Sequence, residues 1–226
     1  MMRMILCALV LSLPIGGHAQ EKLASLVTPA PVLHQGEIPQ TRWQHRRESA
    51  LWTLSALSAL EKHGAPLTDS VPRDVDAWCP GYRTATPEAR RAFWVGFLSA
   101  LAKYESTWRP DAVGGGGKWY GLLQILPSTA RLYGCKARSG DALKDGASNL
   151  SCAIRIMART VPRDGVIALN GGRWGGVAAD WGPMRSEAKR TEMASWLRGQ
   201  SYCAVTTSKR PKKAPKVRAV QHDTRG

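Results

Sequence analysis

Residues 104–125 have the sequence YESTWRPDAVGGGGKWYGLLQI. They join the end of one predicted helix to a loop with four consecutive glycines, and that loop to a short apolar segment that contains Gln124. Glu105 lies at the helical end of the stretch. A carboxylate at a helix end, a glycine-rich loop and an amide side chain are the three features from which we interpret the rest of the chain.

The helix that precedes this stretch has clear start signals. Thr86 suits the N-cap position and Pro87 the first helical position, so we predict that the helix begins there. Its apolar face carries a side chain at every fourth position, namely Ala89, Phe93, Phe97 and Leu101. Glu105 takes the next position in this series, so we expect a carboxylate on the buried face of the helix.

Two physical effects should raise the pKa of Glu105. Burial disfavours the charged form of a carboxyl group, and the negative end of the helix dipole repels an anion in the last turn. A glutamate that stays protonated near neutral pH can act as a general acid, and enzymes tune glutamates to a pKa of about 6 to 7 by such means. The alternative is a glutamate at a frayed helix end whose side chain is simply in water.

The segment that follows favours the first of these interpretations. Four glycines at residues 114–117 provide backbone that can lie flat against a ligand. Gln124 then offers an amide with two donors and an acceptor, which can hold a sugar hydroxyl or an acetamido group. A glutamate with such neighbours is more consistent with a site than with a frayed end.

Four motifs in this order resemble the lysozyme-like domain of the soluble lytic transglycosylases. Glu-Ser at residues 105–106 is the first, and GLLQILPSTA at residues 121–130 is the second. Asn-Leu at residues 149–150 resembles the third motif of the family, and ALNGG at residues 168–172 resembles its Ala-Tyr-Asn-Ala-Gly motif. The resemblance covers about residues 87–185. It implies a mainly α fold, a lysozyme-like domain with a small β or loop segment beside the active site.

The chain departs from the family pattern at two places. The tyrosine of the fourth motif hydrogen-bonds near the catalytic acid in the family, whereas this chain has Leu169, which cannot. Many relatives have a serine in the loop between the acid and the glutamine, where this chain has glycines. We therefore expect its contacts with individual sugars to differ from those of relatives.

The resemblance implies a peptidoglycan lytic transglycosylase. Such an enzyme cleaves the β-1,4 bond between N-acetylmuramic acid (MurNAc) and N-acetylglucosamine (GlcNAc) and forms a 1,6-anhydroMurNAc end. Glu105 would be the catalytic residue, and no cofactor is expected. The residues expected to bind substrate are Ser106, Tyr120, Gly121, Gln124 and Asn170.

Two alternatives remain open from the sequence. A goose-type lysozyme-like hydrolase would use a second carboxylate, for which the candidates are Asp111, Asp141 and Asp145. A non-catalytic cell-wall-binding protein on a degenerate lysozyme fold would be consistent with Leu169 and with the missing loop serine. The presence of Glu105 weighs against this second alternative.

The composition of the chain predicts four segments. Residues 1–19 combine an apolar run with a small-residue end, which is typical of a cleaved signal peptide, so we expect an exported protein, periplasmic or secreted. Residues 20–78 are predicted to be an N-terminal arm with a helix within residues 41–63, and residues 79–203 the lysozyme-like domain. Residues 204–226 are predicted to be a basic disordered tail.

Hydrophobic periodicity predicts most of the remaining secondary structure to be helical. Further helices are predicted at residues 127–133, 147–161, 165–169 and 183–197. There is little strand signal beyond residues 120–125. This pattern agrees with a predominantly α domain.

The chain has five cysteines, of which Cys7 lies within the predicted signal peptide. The other four are an even number in an exported chain, which favours disulfides, and four cysteines allow three pairings. We favour Cys135 with Cys152 because this bond closes a short loop, and Cys79 with Cys203 because it joins the two ends of the domain. No metal site is predicted, because a paired Cys-x-x-Cys is missing and all five histidines lie outside the domain core.

The formal net charge of +15 favours anionic partners. Peptidoglycan glycan strands are the expected substrate. For the tail we favour a segment that only keeps the protein in solution, and the alternative is a segment that binds an anionic wall polymer or a membrane surface. Nucleic acid is not expected, because the tail lacks interleaved aromatic residues and export removes most access to it.

Overall fold

The computed structural model describes residues 38–205, apart from the side chain of Asn170. The predicted signal peptide, residues 20–37 of the predicted arm and residues 206–226 of the predicted tail lie outside these residues. The described α-helices are α1 (Ser49–Glu61), α2 (Ala65–Asp69), α3 (Pro87–Ser106), α4 (Pro127–Leu132), α5 (Gly140–Leu143), α6 (Gly146–Asp164), α7 (Val177–Asp180) and α8 (Glu187–Arg198). The described strands are β1 (Val113–Gly114), β2 (Trp119–Tyr120), β3 (Leu169–Asn170) and β4 (Arg173–Trp174).

Helix α3 is the centre of the domain. It starts as predicted, with Pro87 in the first turn and the Thr86 side chain accepting a hydrogen bond of 3.3 Å from the Ala89 amide. Every residue at positions 93–102 is buried, so the helix is surrounded on all sides rather than along one apolar stripe. α1, α2 and α8 pack around it.

The compact unit begins at Ile38, well before the predicted boundary at Cys79. Helix α1 packs against α6 and α3, and the indoles of Trp43 and Trp52 are buried in the same core as α3. Their rings meet edge to face with centroids 5.9 Å apart. Part of the predicted arm is therefore an integral layer of the domain.

Helix α6 carries the third motif into the core. Its first turn is capped by Asp145, whose carboxylate accepts a hydrogen bond of 2.8 Å from the Ser148 amide. It ends at Gly165, whose φ of 67° is readily adopted only by glycine. The buried face between these ends packs against α1 and α2.

The two favoured disulfide pairings are both present. Cys79 is bonded to Cys203 with a Cα–Cα distance of 4.7 Å, and Cys135 to Cys152 with a distance of 5.2 Å. The first joins residues 124 positions apart, and the second ties the loop after α4 to α6. The first bond therefore links the segment before α3 to the segment after α8.

The described strands form two short antiparallel hairpins. In one, β1 pairs with β2 across the glycine loop, and in the other β3 pairs with β4, with Leu169 opposite Trp174. The helix predicted at residues 165–169 is absent. Asp74 explains this, because its carboxylate accepts hydrogen bonds from the Ile167 and Ala168 amides at 2.7 and 2.9 Å and holds that backbone in a non-helical course.

None of the helices in residues 38–205 combines the length and the apolar composition that crossing a bilayer requires.

Candidate active site

Glu105 lies in the last turn of α3, where its carboxyl group is largely removed from solvent. Its Oε1 atom is buried and has no hydrogen-bond partner among the described residues. Burial raises the pKa of Glu105 to about 7, and the positive charge of Lys189 on α8 opposes this rise. The sequence predicted the direction of the pKa change, and the larger cause is burial. Near neutral pH the group is present in both the acid and the carboxylate form.

The residues that follow α3, and Gln124 in the second motif, have backbone conformations that non-glycine residues rarely take. Thr107 and Trp108, which directly follow α3, have φ of 53° and 56°, and Gln124 has φ of 47°. The Trp108 indole donates a hydrogen bond of 2.8 Å to the Ser99 carbonyl, which fixes this exit from the helix. Such strained residues cluster at functional sites, because the surrounding structure must hold them in place.

Gln124 lies across the base of the glycine hairpin. Its amide nitrogen donates to the carbonyls of Gly121 and Ala112 at 2.9 and 3.2 Å, so both of its N–H groups are used within the protein. A Cβ added to Gly114 would collide with its Oε1 atom, so a larger residue there would displace the Gln124 amide. Gln124 therefore offers a ligand only an acceptor, rather than the two donors and one acceptor of a free amide.

Asn149 in the third motif is buried, and its side chain holds three backbone groups by hydrogen bonds. Its side chain accepts from the Leu123 amide and donates to the carbonyls of Tyr120 and Leu143, each at 2.9 Å. Gly121 lies so close to it that an added Cβ would collide with the Asn149 amide and the Leu143 carbonyl. These contacts fix the second motif against α6.

Two predicted substrate-binding residues have hydroxyl groups that are already engaged. The Ser106 side chain is buried and donates to the Ala102 carbonyl at 3.3 Å, within its own helix. The Tyr120 hydroxyl donates to the Gly117 carbonyl at 2.7 Å and braces the glycine loop. Both hydroxyl groups are therefore used within the protein, and the Ser106 hydroxyl does not face solvent.

The β3–β4 hairpin carries the fourth motif. The backbone of Asn170 is part of β3, and its side chain lies outside the described residues. Leu169 is 40% exposed, and it supplies no hydroxyl to Glu105.

A network of charges joins α3 to α8 next to Glu105. The Glu192 carboxylate accepts hydrogen bonds from Arg42, Lys103 and the Tyr104 hydroxyl at 2.7, 3.0 and 2.8 Å. The Lys189 ammonium lies 5.3 Å from the centroid of the Tyr104 ring. Sequence reasoning missed Lys189 and Glu192, because no local pattern marks residues so far along the chain from Glu105.

The three aspartates proposed as a second carboxylate have other surroundings. Asp141 is exposed and pairs with Lys144 at 3.0 Å, and Asp145 caps α6. Asp111 is exposed on the loop after α3. Among the described residues, the charge that perturbs Glu105 is that of Lys189, and no carboxylate does so.

Exposed aromatic rings occur on both hairpins. Trp119 on β2 is 44% exposed, and Trp174 on β4 is 42% exposed. The Arg190 guanidinium lies 4.9 Å from the centroid of the Trp174 ring. Flat, partly exposed rings of this kind suit stacking against sugars.

Residues 38–205 contain no group of three or more potential metal ligands.

Comparison with known proteins agrees with the motifs. The model of the transglycosylase SLT domain family matches residues 85–172. A solved structure of wild-type DslA is 32% identical in sequence, with a TM-score of 0.66, and the match covers 74% of this chain and 98% of that one. Two glutamine-for-glutamate mutants of DslA are 32% and 31% identical, each with a TM-score of 0.67 and with 74% and 99% of the two chains covered. No curated protein sequence matches the chain significantly. The chain therefore belongs to the soluble lytic transglycosylase family, and the domain around Glu105 is its lysozyme-like SLT domain.

Proposed function

We propose that this protein is a peptidoglycan lytic transglycosylase that cleaves the MurNAc–GlcNAc β-1,4 bond and leaves a 1,6-anhydroMurNAc end. Glu105 serves first as the general acid and then as the general base. The reaction consumes no water, since the new bond is made by a hydroxyl group of the substrate itself.

In the first step, the protonated Glu105 donates its proton to the glycosidic oxygen. The bond between that oxygen and C1 of MurNAc breaks, GlcNAc leaves with a free 4-hydroxyl, and positive charge develops at C1. A pKa of about 7 suits this role, because a useful fraction of Glu105 is protonated at neutral pH and the proton is readily given up.

In the second step, the Glu105 carboxylate accepts the proton of the MurNAc C6 hydroxyl. The C6 oxygen then bonds to C1 and closes the 1,6-anhydro ring, which returns Glu105 to its acid form. Atoms and charge balance over the two steps. The Lys189 charge favours the intermediate carboxylate, since it lowers the pKa of Glu105.

The observation that carries this proposal is the isolation of the Glu105 carboxyl group. Its Oε1 atom is buried without a partner, and no carboxylate in the described part of the chain acts on its pKa. A hydrolase would need a second group to activate water or to attack C1, whereas Asp141 is paired with Lys144 and Asp145 caps α6. The arrangement favours the mechanism that uses one carboxyl group.

The walls of the proposed groove are the two hairpins. We expect the free acceptor Oε1 of Gln124 to receive a hydrogen bond from a sugar hydroxyl or acetamido N–H, and Trp119 and Trp174 to stack on sugar rings. Asn170 is proposed as a further contact from the fourth motif.

The proposed location is the periplasm or the extracellular space, where peptidoglycan is found. The basic tail at residues 204–226 would add attraction to an anionic wall polymer or membrane surface over about a Debye length of 8 to 10 Å. Deleting residues 208–226 should leave cleavage of short soluble glycan strands unchanged and weaken binding to intact sacculi at low salt. Loss of activity on the short strands would contradict the assignment of cleavage to the domain and of wall binding to the tail.

Release of muropeptides by purified variants tests the role of Glu105. Glu105→Gln should fold and release none, because the amide keeps the shape of the side chain but has no acidic proton to donate. Gln124→Ala and Asn170→Ala should lose less activity, since they remove contacts rather than the acid. Glu88→Gln, at the exposed start of α3, is the matched control and should remain active. Substantial residual activity of Glu105→Gln would rule out Glu105 as the acid.

A further inference from the structure

A cavity lies between α1, α6 and the loop around Cys135. It shares no residue with the candidate active site. Its volume is about 530 Å³. Four cationic or titratable side chains line it, namely Lys62, His63, Lys136 and Arg155, together with serine hydroxyls from both helices. No aspartate or glutamate is among its described lining residues.

The cations of this cavity have no counterion among the described residues. Within residues 38–205, the side chains of Lys62, Lys136 and Arg155 form no ion pair and no hydrogen bond with another described residue. Arg155 is partly exposed, and no residue within 38–205 pairs with its guanidinium. An anion bound in the cavity would supply that partner through charge-assisted hydrogen bonds.

The three cationic side chains of the cavity all lower the pKa of His63. Burial lowers the pKa of His63, a hydrogen bond to Ser151 opposes this, and Arg155, Lys136 and Lys62 each lower it further. The His63 Nε2 atom is 2.9 Å from the Ser151 carbonyl oxygen, which only accepts, so Nε2 carries a proton and Nδ1 is the nitrogen that titrates. Three like charges thus act on one imidazole from the end of α1, from α6 and from the Cys135 loop.

The framework of the cavity is rigid. The Cys135–Cys152 disulfide lies in its lining and fixes the Lys136 loop to α6. The Ser55 and Ser58 hydroxyls on α1 also line it, and neither forms a hydrogen bond with another described side chain or backbone group. Cationic donors and hydroxyl donors around a concave surface are the groups that bind a tetrahedral oxyanion.

We propose that this cavity binds a phosphate group, carried either by a small soluble ligand or by a lipid headgroup. Arg155 and Lys136 supply charge-assisted hydrogen bonds, the α1 serines supply neutral ones, and His63 becomes protonated when the anion is bound. The binding is independent of the reaction at Glu105. It provides a site on the folded domain where the protein can be held or controlled by a phosphate-bearing molecule.

The first test measures the pKa of His63 in the full chain by NMR, with and without sulfate at constant ionic strength. Sulfate mimics a phosphate group and does not itself titrate in this range. A His63→Gln variant assigns the resonance among the five histidines. Sulfate should raise the pKa of His63 in a saturable manner, because protonation and anion binding favour each other. A pKa that chloride and sulfate change equally would overturn the proposal.

The second test compares charge-removing variants. Arg155→Gln and Lys136→Gln should each weaken sulfate binding by about tenfold, the effect of losing one charge-assisted hydrogen bond. Arg159→Gln is the matched control, because Arg159 lies on α6 one turn beyond Arg155 and does not line the cavity. Lys136 is exposed, so its variant tests the idea even if Arg155→Gln fails to fold. Equal weakening by Arg159→Gln would show general charge attraction and contradict a defined site.

The source of the phosphate group is distinguished with two probes. Glycerol 3-phosphate should displace sulfate at His63 if the ligand is soluble. Vesicles containing phosphatidylglycerol should bind the wild type and Arg159→Gln alike but Arg155→Gln more weakly if the ligand is a headgroup. Failure of both probes to depend on Arg155 and Lys136 would overturn the proposal.

Discussion

The Glu105→Gln variant should be more stable than the wild type at alkaline pH, in addition to being inactive. Burial raises the pKa of Glu105 from 4.5 to about 7 in the folded protein. At pH 8.5 the wild type must therefore keep an ionised carboxylate in a site that disfavours it, whereas the unfolded chain ionises freely. Glutamine has no such charge.

The size of the effect follows from linkage. One pKa unit corresponds to about 1.4 kcal/mol, so the rise from 4.5 to about 7 lowers the free energy of unfolding by about 3 kcal/mol once Glu105 is ionised. Below pH 4.5 Glu105 is protonated in both the folded and the unfolded wild type, so its burial does not lower the free energy of unfolding. The free energy of unfolding falls as the pH rises from 4.5 through about 7, because the folded state then holds a proton that the unfolded state has released.

The assay is urea denaturation of wild type and variant at pH 4 and pH 8.5, with the disulfides intact. The variant should gain about 3 kcal/mol relative to the wild type between these two conditions. Comparing the two pH values removes any constant difference in packing between acid and amide. Glu88→Gln is the control: its pKa is lowered, mainly by a backbone hydrogen bond, so removing its charge should not stabilise the protein at pH 8.5. An equal difference between Glu105→Gln and wild type at both pH values would refute the buried-acid explanation.

Three further predictions follow from the contacts around the site. Lys189→Met should move the fall of kcat/KM with rising pH to higher pH, because the lysine lowers the pKa of Glu105; an unchanged pH profile would contradict this. Asn149→Ala should lower the free energy of unfolding by roughly 3 kcal/mol, since the buried Leu123 amide and Leu143 carbonyl lose their hydrogen-bond partner, and a loss well below 1 kcal/mol in denaturant melts would contradict this role of Asn149. Replacing the Cys135–Cys152 pair by alanines should cost about 3 kcal/mol and the Cys79–Cys203 pair about 5 kcal/mol from loop entropy, for separations of 17 and 124 residues; equal melting of wild type and variants would contradict this.

Sequence reasoning predicted features that depend on local patterns. The start of α3 followed from Thr86 and Pro87, and the place of Glu105 followed from the spacing of apolar residues along one helix. The direction of the Glu105 pKa followed from burial on that face. The disulfide pairing followed from the positions of four cysteines along the chain.

Features that depend on distant partners were not predictable in this way. The helix predicted at residues 165–169 was wrong, because Asp74 takes the backbone amides of that segment from more than 90 residues away in the chain. The same is true of Lys189, whose effect on Glu105 arises only from the packing of α8. The two donors of Gln124 are engaged because the hairpin folds around its side chain, which sequence spacing alone does not reveal.

The segment before Cys79 illustrates a further limit. Its apolar residues predicted a helix but not its position, because the partners of α1 are on α6 and α3, which follow it in the chain. Its leucines gave no sign of which partner they meet. The buried indoles of Trp43 and Trp52 are what make this segment part of the domain core.

In the proposed mechanism, Glu105 and the C6 hydroxyl of the substrate complete the reaction without water. This mechanism is tested most directly by digesting purified sacculi in ¹⁸O-labelled water and analysing the released muropeptides by mass spectrometry. We predict 1,6-anhydroMurNAc ends that lack the mass of one water and carry no label. Labelled reducing ends would contradict the mechanism and indicate a hydrolase, and the absence of any cleavage by the folded protein would contradict enzymatic function altogether.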